Sequence, residues 1–220
     1  MATQEESRTR RRIVEAALYL FWRNGYAATP IAQVLDRAQV NSGSLYYFFR
    51  AKEDLLLAVL DLYVQSLKPV VVEPVFSEIS DPVERVFGIL GFYRRNLLAT
   101  GCTYGCPIGR LALEIPEEQF KIHKRLADNF DGWTAAVESC LAAAQDRFPR
   151  GSDLKKLAKF VLTVMEGGVM QARAHREIGP FDASVEHLRS YFRLLTIEAD
   201  RQKPKPRQMK KPKNRNSRRR

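Results

Sequence analysis

The stretch Asn41-Ser-Gly-Ser-Leu-Tyr-Tyr-Phe-Phe49 constrains this chain more than any other. A small polar opening runs into four consecutive aromatics. Asn is a favoured helix start, because its side chain accepts from an amide that has no partner in the first turn. A buried strand would not begin with Asn-Ser-Gly-Ser. A helix that is aromatic nearly all the way round needs a second surface besides the core. Leu45 and Phe49, at i and i+4, are predicted to face inward, which leaves Tyr46 and Tyr47 for that second surface. Upstream, Thr29 is read as an N-cap with Pro30 in the first helical position, starting a helix over 30–37 that buries Ile31, Val34 and Leu35. Two short helices, 30–37 and 41–49, with a tight join, have helix-turn-helix dimensions. In that motif the second helix enters the major groove and its first residues meet base edges. Ser42, Gly43 and Ser44 allow a duplex to come close, amides at a helix start favour phosphate, and Tyr, Ser and Lys side chains bond phosphate oxygens. The alternative is a compact core in which the aromatics are simply buried.

Charge supports a polyanion partner at this end. The net charge is +11, but residues 201–220 hold eleven Lys or Arg and no acid. The other 200 residues balance, split into a head over 1–52 with eight basic and four acidic side chains and an acidic remainder with 17 and 21. A basic head on an acidic body suits nucleic acid. The tail cannot bury enough to order itself and is read as disordered. A second function class follows from it: a non-specific nucleic-acid-binding protein gripping polyanions through the tail.

The remainder reads as helix throughout. Ile13, Ala16, Ala17 and Leu20 mark a helix over 9–24 that stops at Gly25. Others are predicted over 52–67, from Ser80-Asp81-Pro82 to Ala99, over 117–146, 154–178 and 182–199, with Pro69–Ile79 as a connector or broken helix. The expected fold is all-α, about nine helices. No apolar run reaches membrane-spanning length and the first residues lack an apolar leader, so no membrane partner and a cytoplasmic location are expected. Three cysteines make no disulfide framework. There is no Gly-rich phosphate loop and no nucleophile elbow, so no enzyme, cofactor or metal is expected.

The pattern Thr29-(x)10-Val40-Asn-Ser-Gly-Ser-Leu-Tyr-Tyr-Phe-Phe49-(x)2-Lys52-Glu53-Asp54-Leu55, preceded by Ile13–Phe21 and Asn24-Gly25-Tyr26, resembles the DNA-binding signature of TetR/AcrR-type transcriptional regulators. The resemblance implies a homodimer that binds a palindromic operator, a repressor released by a small effector. It implies a three-helix DNA-binding domain (1–52), an effector-binding and dimerisation domain (53–200) and the tail (201–220). It puts Thr29, Asn41, Ser42, Gly43, Ser44, Tyr46, Tyr47 and Lys52 at the DNA surface. Three positions depart from it: Gln39 stands where Gly usually makes the turn, Phe48 where a polar residue is common, and Ala51 in place of a usual cap.

In such proteins the last two helices commonly form the dimer interface. Leu157, Val161, Val164 and Met165, with Val185, Leu188, Phe192 and Leu195, would supply it, or else belong to the monomer core. Gly167-Gly168 would permit close helix approach. Phe92, Tyr93, Tyr104, Phe120, Phe130 and Trp133 are the candidate effector contacts, or else ordinary core, and an apolar or electrophilic effector is expected. Gly101-Cys102-Thr-Tyr-Gly-Cys106-Pro-Ile-Gly-Arg-Leu-Ala-Leu-Glu114 resembles a segment of one branch that includes regulators responsive to electrophiles or oxidants. Cys102 and Cys106 are therefore candidate redox sensors, since a thiol followed by helix-start amides can have a lowered pKa. The competing reading has both as small buried apolar residues.

Overall fold

The computed structural model describes residues 4–203 and contains helices and no strand among them. The expected all-α fold is what it has. A three-helix head comprises α1 (Gln4–Asn24), α2 (Ile31–Ala38) and α3 (Ser42–Phe48). Ile13, Ala17 and Phe21 on α1, Val34 on α2 and Leu45 on α3 are all buried and share its centre. α1 begins well before the predicted residue 9.

Next comes α4 (Lys52–Leu67), which does not stop at Pro69. It passes through a π-helical turn over Lys68–Val72 into α5 (Glu73–Glu78). The Glu73 amide reaches back to the Lys68 carbonyl, five residues away. A wide turn of this kind tolerates the amide that Pro69 lacks, so the expected connector is a continuation of the helix. The uninterrupted 27-residue helix Lys52–Glu78 is long and apolar enough to cross a membrane by length and composition, contrary to the sequence expectation. Leu55, Leu56, Val59 and Leu60 from it are fully buried among neighbouring helices of this chain.

Asp81 caps α6 (Pro82–Ala99), its carboxylate accepting from the Val83 and Glu84 amides at 2.8 and 3.0 Å. α7 (Pro107–Glu114) is short, and α8 (Phe120–Ala142) ends before a 3-10 turn over Gln145–Arg147. α9 (Leu154–His175) and α10 (Gly179–Gln202) pack along each other and against α8 and α6. Gly168 lets them close up, because a Cβ there would meet Phe181 and Ser184. α10 runs two residues into the stretch read as disordered tail; residues 204–220 lie outside the described residues.

The apolar stripe expected at a dimer interface is largely internal. Val161, Met165, Leu188 and Phe192 are buried within the single chain, and Leu157, Val164, Val185 and Leu195 pack partly against the same core. The large apolar side chains left exposed on these two helices are Phe160 and Met170 on α9, and Tyr191, Leu194 and Ile197 on α10. The stripe positions choose the side that α8 and α6 already cover.

Candidate nucleic-acid interface and effector cavity

The turn between α2 and α3 is left-handed at Gln39, with φ +52°. A non-Gly residue there costs about 1 kcal/mol. Two features offset it. The Gln39 and Val40 amides bond back to the Asp36 and Leu35 carbonyls, closing α2 in a Schellman arrangement. Arg12 on α1 donates from Nη2 to the Ala38 and Gln39 carbonyls at 2.6 and 2.7 Å. An arginine fork from another helix thus supports a turn that glycine would otherwise make.

α3 starts on Asn41, whose Oδ1 accepts from the Ser44 amide at 2.8 Å. From there the aromatic run divides. Leu45 and Phe49 are buried, Phe48 is half-buried, and Tyr46 and Tyr47 stand 54% and 71% exposed. Asn41, Ser42 and Gly43 are exposed and Ser44 is partly so. Among the described residues a Cβ on Gly43 would meet only Asn41 Oδ1, so none of them requires a glycine there.

Two of the predicted surface residues bond to carbonyls of the loop after α1. Thr29 is fully buried and caps nothing; its hydroxyl donates to the Gly25 carbonyl at 2.6 Å, and α2 starts without a side-chain cap. The Oγ1 atom is within reach of that carbonyl only because the loop after α1 folds back, which spacing alone does not reveal. Lys52 is half-buried, with Nζ donating to the Tyr26 carbonyl at 2.6 Å and lying 4.4 Å from the Tyr26 ring centre. Burial holds its pKa below the ordinary lysine value. One of its donors thus anchors the start of α4. Ala51 lacks a capping side chain, yet its amide donates to Asp54 Oδ2 at 3.1 Å, half of a capping box.

Behind the head lies a cavity of about 280 Å³. Phe92, Tyr93, Tyr104 and Trp133 line it, as do Trp22 from α1, Tyr63 from α4, Val70 and Val71 from the π turn, and Cys106. Among the described residues, no side chain lining it is charged. Phe120 is not among them: it stands 80% exposed at the start of α8. Phe130 packs against the core away from the cavity. The sequence reading missed Trp22 and Tyr63; Leu18 and Trp22, at i and i+4 beside the buried stripe of α1, were the available signal.

The cavity wall is joined to the head by α7. The Trp22 indole donates to the Gly105 carbonyl at 2.9 Å, and its ring lies 4.9 Å from that of Tyr104. Arg110 pairs with Glu114 at 2.5 Å and donates to the Asn24 carbonyl at 2.6 Å and the Arg23 carbonyl at 3.2 Å, the last residues of α1. Glu114 Oε2 accepts from the Tyr26 amide at 2.7 Å. Gly25 between them has φ +94°, and a Cβ there would collide with both side chains.

Cys106 caps α7, accepting from the Gly109 amide at 3.5 Å. That bond favours the thiolate, but burial outweighs it, and the Glu166 carboxylate acts with burial. The thiol pKa is held well above its ordinary value, opposite to the expected lowering. Cys102 is buried at φ +54° and does not line the cavity. Burial also raises the pKa of Glu166, whose Oε1 is buried without a hydrogen-bond partner.

Residues 13–59 match the family model for bacterial regulatory proteins of the tetR family, and residues 82–187 match that for the C-terminal domain of LmrA/YxaF-like transcriptional regulators. The chain belongs to the TetR family. It is thereby a helix-turn-helix transcriptional regulator and not an enzyme. An uncharacterized regulator of Mycobacterium tuberculosis is 27% identical over 187 residues, covering 82% of this chain and 92% of that one. The transcriptional repressor DhaR of Mycobacterium sp. strain GP1 is 24% identical over 175 residues, covering 79% and 86%. A TetR-family regulator from Cytophaga hutchinsonii shares the fold at TM-score 0.75 and 20% identity, covering 89% of this chain and 98% of that one.

Proposed function

We propose that this TetR-family chain is a cytoplasmic repressor that binds a palindromic operator as a homodimer and is released when an uncharged, mainly apolar effector fills the cavity. The observation that carries the reading is the Arg110–Glu114 pair, which ties the helix forming the cavity wall to the end of α1. An effector that alters α7 would thereby alter the head. In this reading residues 1–52 read DNA, 53–200 sense and dimerise, and 201–220 add sequence-independent attraction.

At the DNA surface, Asn41, Ser42, Gly43 and Ser44 present the start of α3 to base edges, and Tyr46 and Tyr47 meet the backbone. Thr29 and Lys52 act indirectly, by holding the loop and α4 behind α3. For the dimer, Phe160, Tyr191, Leu194 and Ile197 form an exposed apolar face, and a Cβ on Gly167 would meet nothing. A partner helix can approach closely there, which suits the two-fold interfaces commonest among soluble oligomers. A cavity with no charged wall favours a neutral ligand, because an unpaired charge is costly to bury. Cys106 faces such a ligand as a neutral thiol. The name of the relative DhaR supports repression rather than activation.

The full chain would be offered a random duplex library at moderate salt, and the enriched sites footprinted. A two-fold-symmetric site with half-sites about 34 Å apart, or a multiple of that, is expected. Enrichment of no sequence would sink the assignment. Removal of residues 204–220 separates the alternative: the enriched site should stay the same while the salt dependence weakens by about 0.9 per lost phosphate contact. A tail-driven, non-specific binder would lose its DNA binding altogether.

A further inference from the structure

Two of the four acids in the basic head, Glu5 and Glu6, lie in the first turn of α1, beside the start of α3. The first turn of α1 forms one side of an open depression, and Asn41, Gly43, Ser44 and Tyr47 form the other. Across it the Tyr47 hydroxyl donates to Glu6 Oε1 at 3.2 Å. The Tyr47 ring is set edge-on against Phe48, with centres 4.9 Å apart. These two neighbours aim the most exposed aromatic of α3 at a carboxylate. The following turns of α1 carry Arg8, Arg10, Arg11 and Arg12, so the acids are a local exception.

A carboxylate oxygen and a phosphate oxygen are both anionic acceptors for a phenol O–H. They repel each other and cannot both occupy the space beside that hydroxyl. We propose that Glu6 occupies the place of a DNA phosphate: it accepts from Tyr47 while no duplex is bound and is displaced when a duplex docks. The proposal rests on the reading of α3 as the DNA-contacting helix. Tyr47 exchanges one anionic acceptor for another, so its hydrogen bond sets register at little net gain. Glu6 sets a threshold, because every docking event must turn its carboxylate away.

Wild type, Glu6→Gln, Tyr47→Phe and the double variant, all as full chains, are compared across a salt series on a duplex enriched by the wild type from a random library and on an unselected one. Glu6→Gln is expected to bind the enriched duplex about two- to fivefold more tightly at low salt. The gain should shrink as salt screens the phosphates, and most of it should vanish when Tyr47 is Phe. Equal affinity at every salt, or the same gain with and without the Tyr47 hydroxyl, would overturn the exchange. Weaker binding by Glu6→Gln would also overturn it and make Glu6 an acceptor for a base amine. Failure of the wild type to enrich any sequence would remove the DNA assignment of α3, and the Glu6 exchange with it. An enriched wild type with an unresponsive Glu6→Gln removes only the exchange.

Discussion

Arg110 on α7 donates from Nη2 to the carbonyl of Asn24, the last residue of α1, at 2.6 Å. One guanidinium thus serves a carboxylate on α7 and the open carbonyl end of α1. Helix ends leave such carbonyls without partners, and a cation there also suits the helix dipole. Arg110 and Glu114 also crowd Gly25, so the junction has little room to shift without breaking a bond.

Arg110→Ala should uncouple the two halves more than it harms either one. Effector-induced loss of DNA affinity is typically 5- to 150-fold in coupled systems, about 1–3 kcal/mol. In Arg110→Ala most of that factor should disappear, while DNA affinity without effector changes about threefold or less. Operator titrations with and without a saturating cavity ligand measure it. Retention of the full factor would show that coupling runs through other contacts.

Gly25→Ala tests the same junction by backbone strain. With φ at +94° and no room for a methyl group, the variant should lose about 2–4 kcal/mol of stability. Urea unfolding of the full chain reads it, and a loss under 1 kcal/mol would mean that Arg110 and Glu114 move aside.

On the reading helix, Tyr46→Ala with Tyr47→Ala should cost DNA affinity at least tenfold with little change in stability, because both rings are largely exposed. Asn41→Ala should cost stability as well, about 0.5–2 kcal/mol, through loss of the cap on the Ser44 amide. Comparing melting curves with DNA titrations separates the two effects.

The exposed face of α9 and α10 can be tested by charge. Leu194→Asp combined with Ile197→Asp should give monomers by light scattering and weaken operator binding about a hundredfold or more, since the two half-sites would no longer be linked. A dimer unaffected by both changes would place the interface elsewhere.

Glu166 gives a pH signature. Its folded pKa is raised by burial, so the unfolded chain ionises first as pH rises. Below the ordinary carboxylate pKa both states hold the proton and there is no penalty; above it, stability falls until the folded pKa is passed. Glu166→Gln should therefore stabilise at pH 7–8 by about 1 kcal/mol and leave stability at pH 3.5 nearly unchanged. Urea midpoints at the two pH values decide it; an equal shift at both would assign the effect to packing.

Legibility in the sequence followed the range of the interactions. Asn41 and Asp81 act on amides two or three residues away, so composition and spacing located both caps. Leu45 and Phe49 point inward because a helix places i and i+4 on one side, which the sequence also shows. The burial of Thr29 and the anchoring of Lys52 were not legible because their partners, the Gly25 and Tyr26 carbonyls, depend on how the loop folds back. Phe120 reads like any other aromatic, yet only the position of α8 decides that it faces outward. The aromatic wall from α1 was missed because Trp22 gains its partner, Gly105, from 83 residues along the chain.

The π turn at Lys68–Val72 carries one residue more than a regular helix would need for that stretch. Each helical residue advances about 100° around the axis. The widened turn absorbs that advance, so deleting one of the five would convert the stretch to ordinary α-helix and leave Glu73–Glu78 facing much as it does now. Val70 and Val71, which border the cavity, would be re-aimed in the same step. This short segment is where shortening the chain by a single residue, with no change of chemistry, could produce a relative tuned to a different molecule.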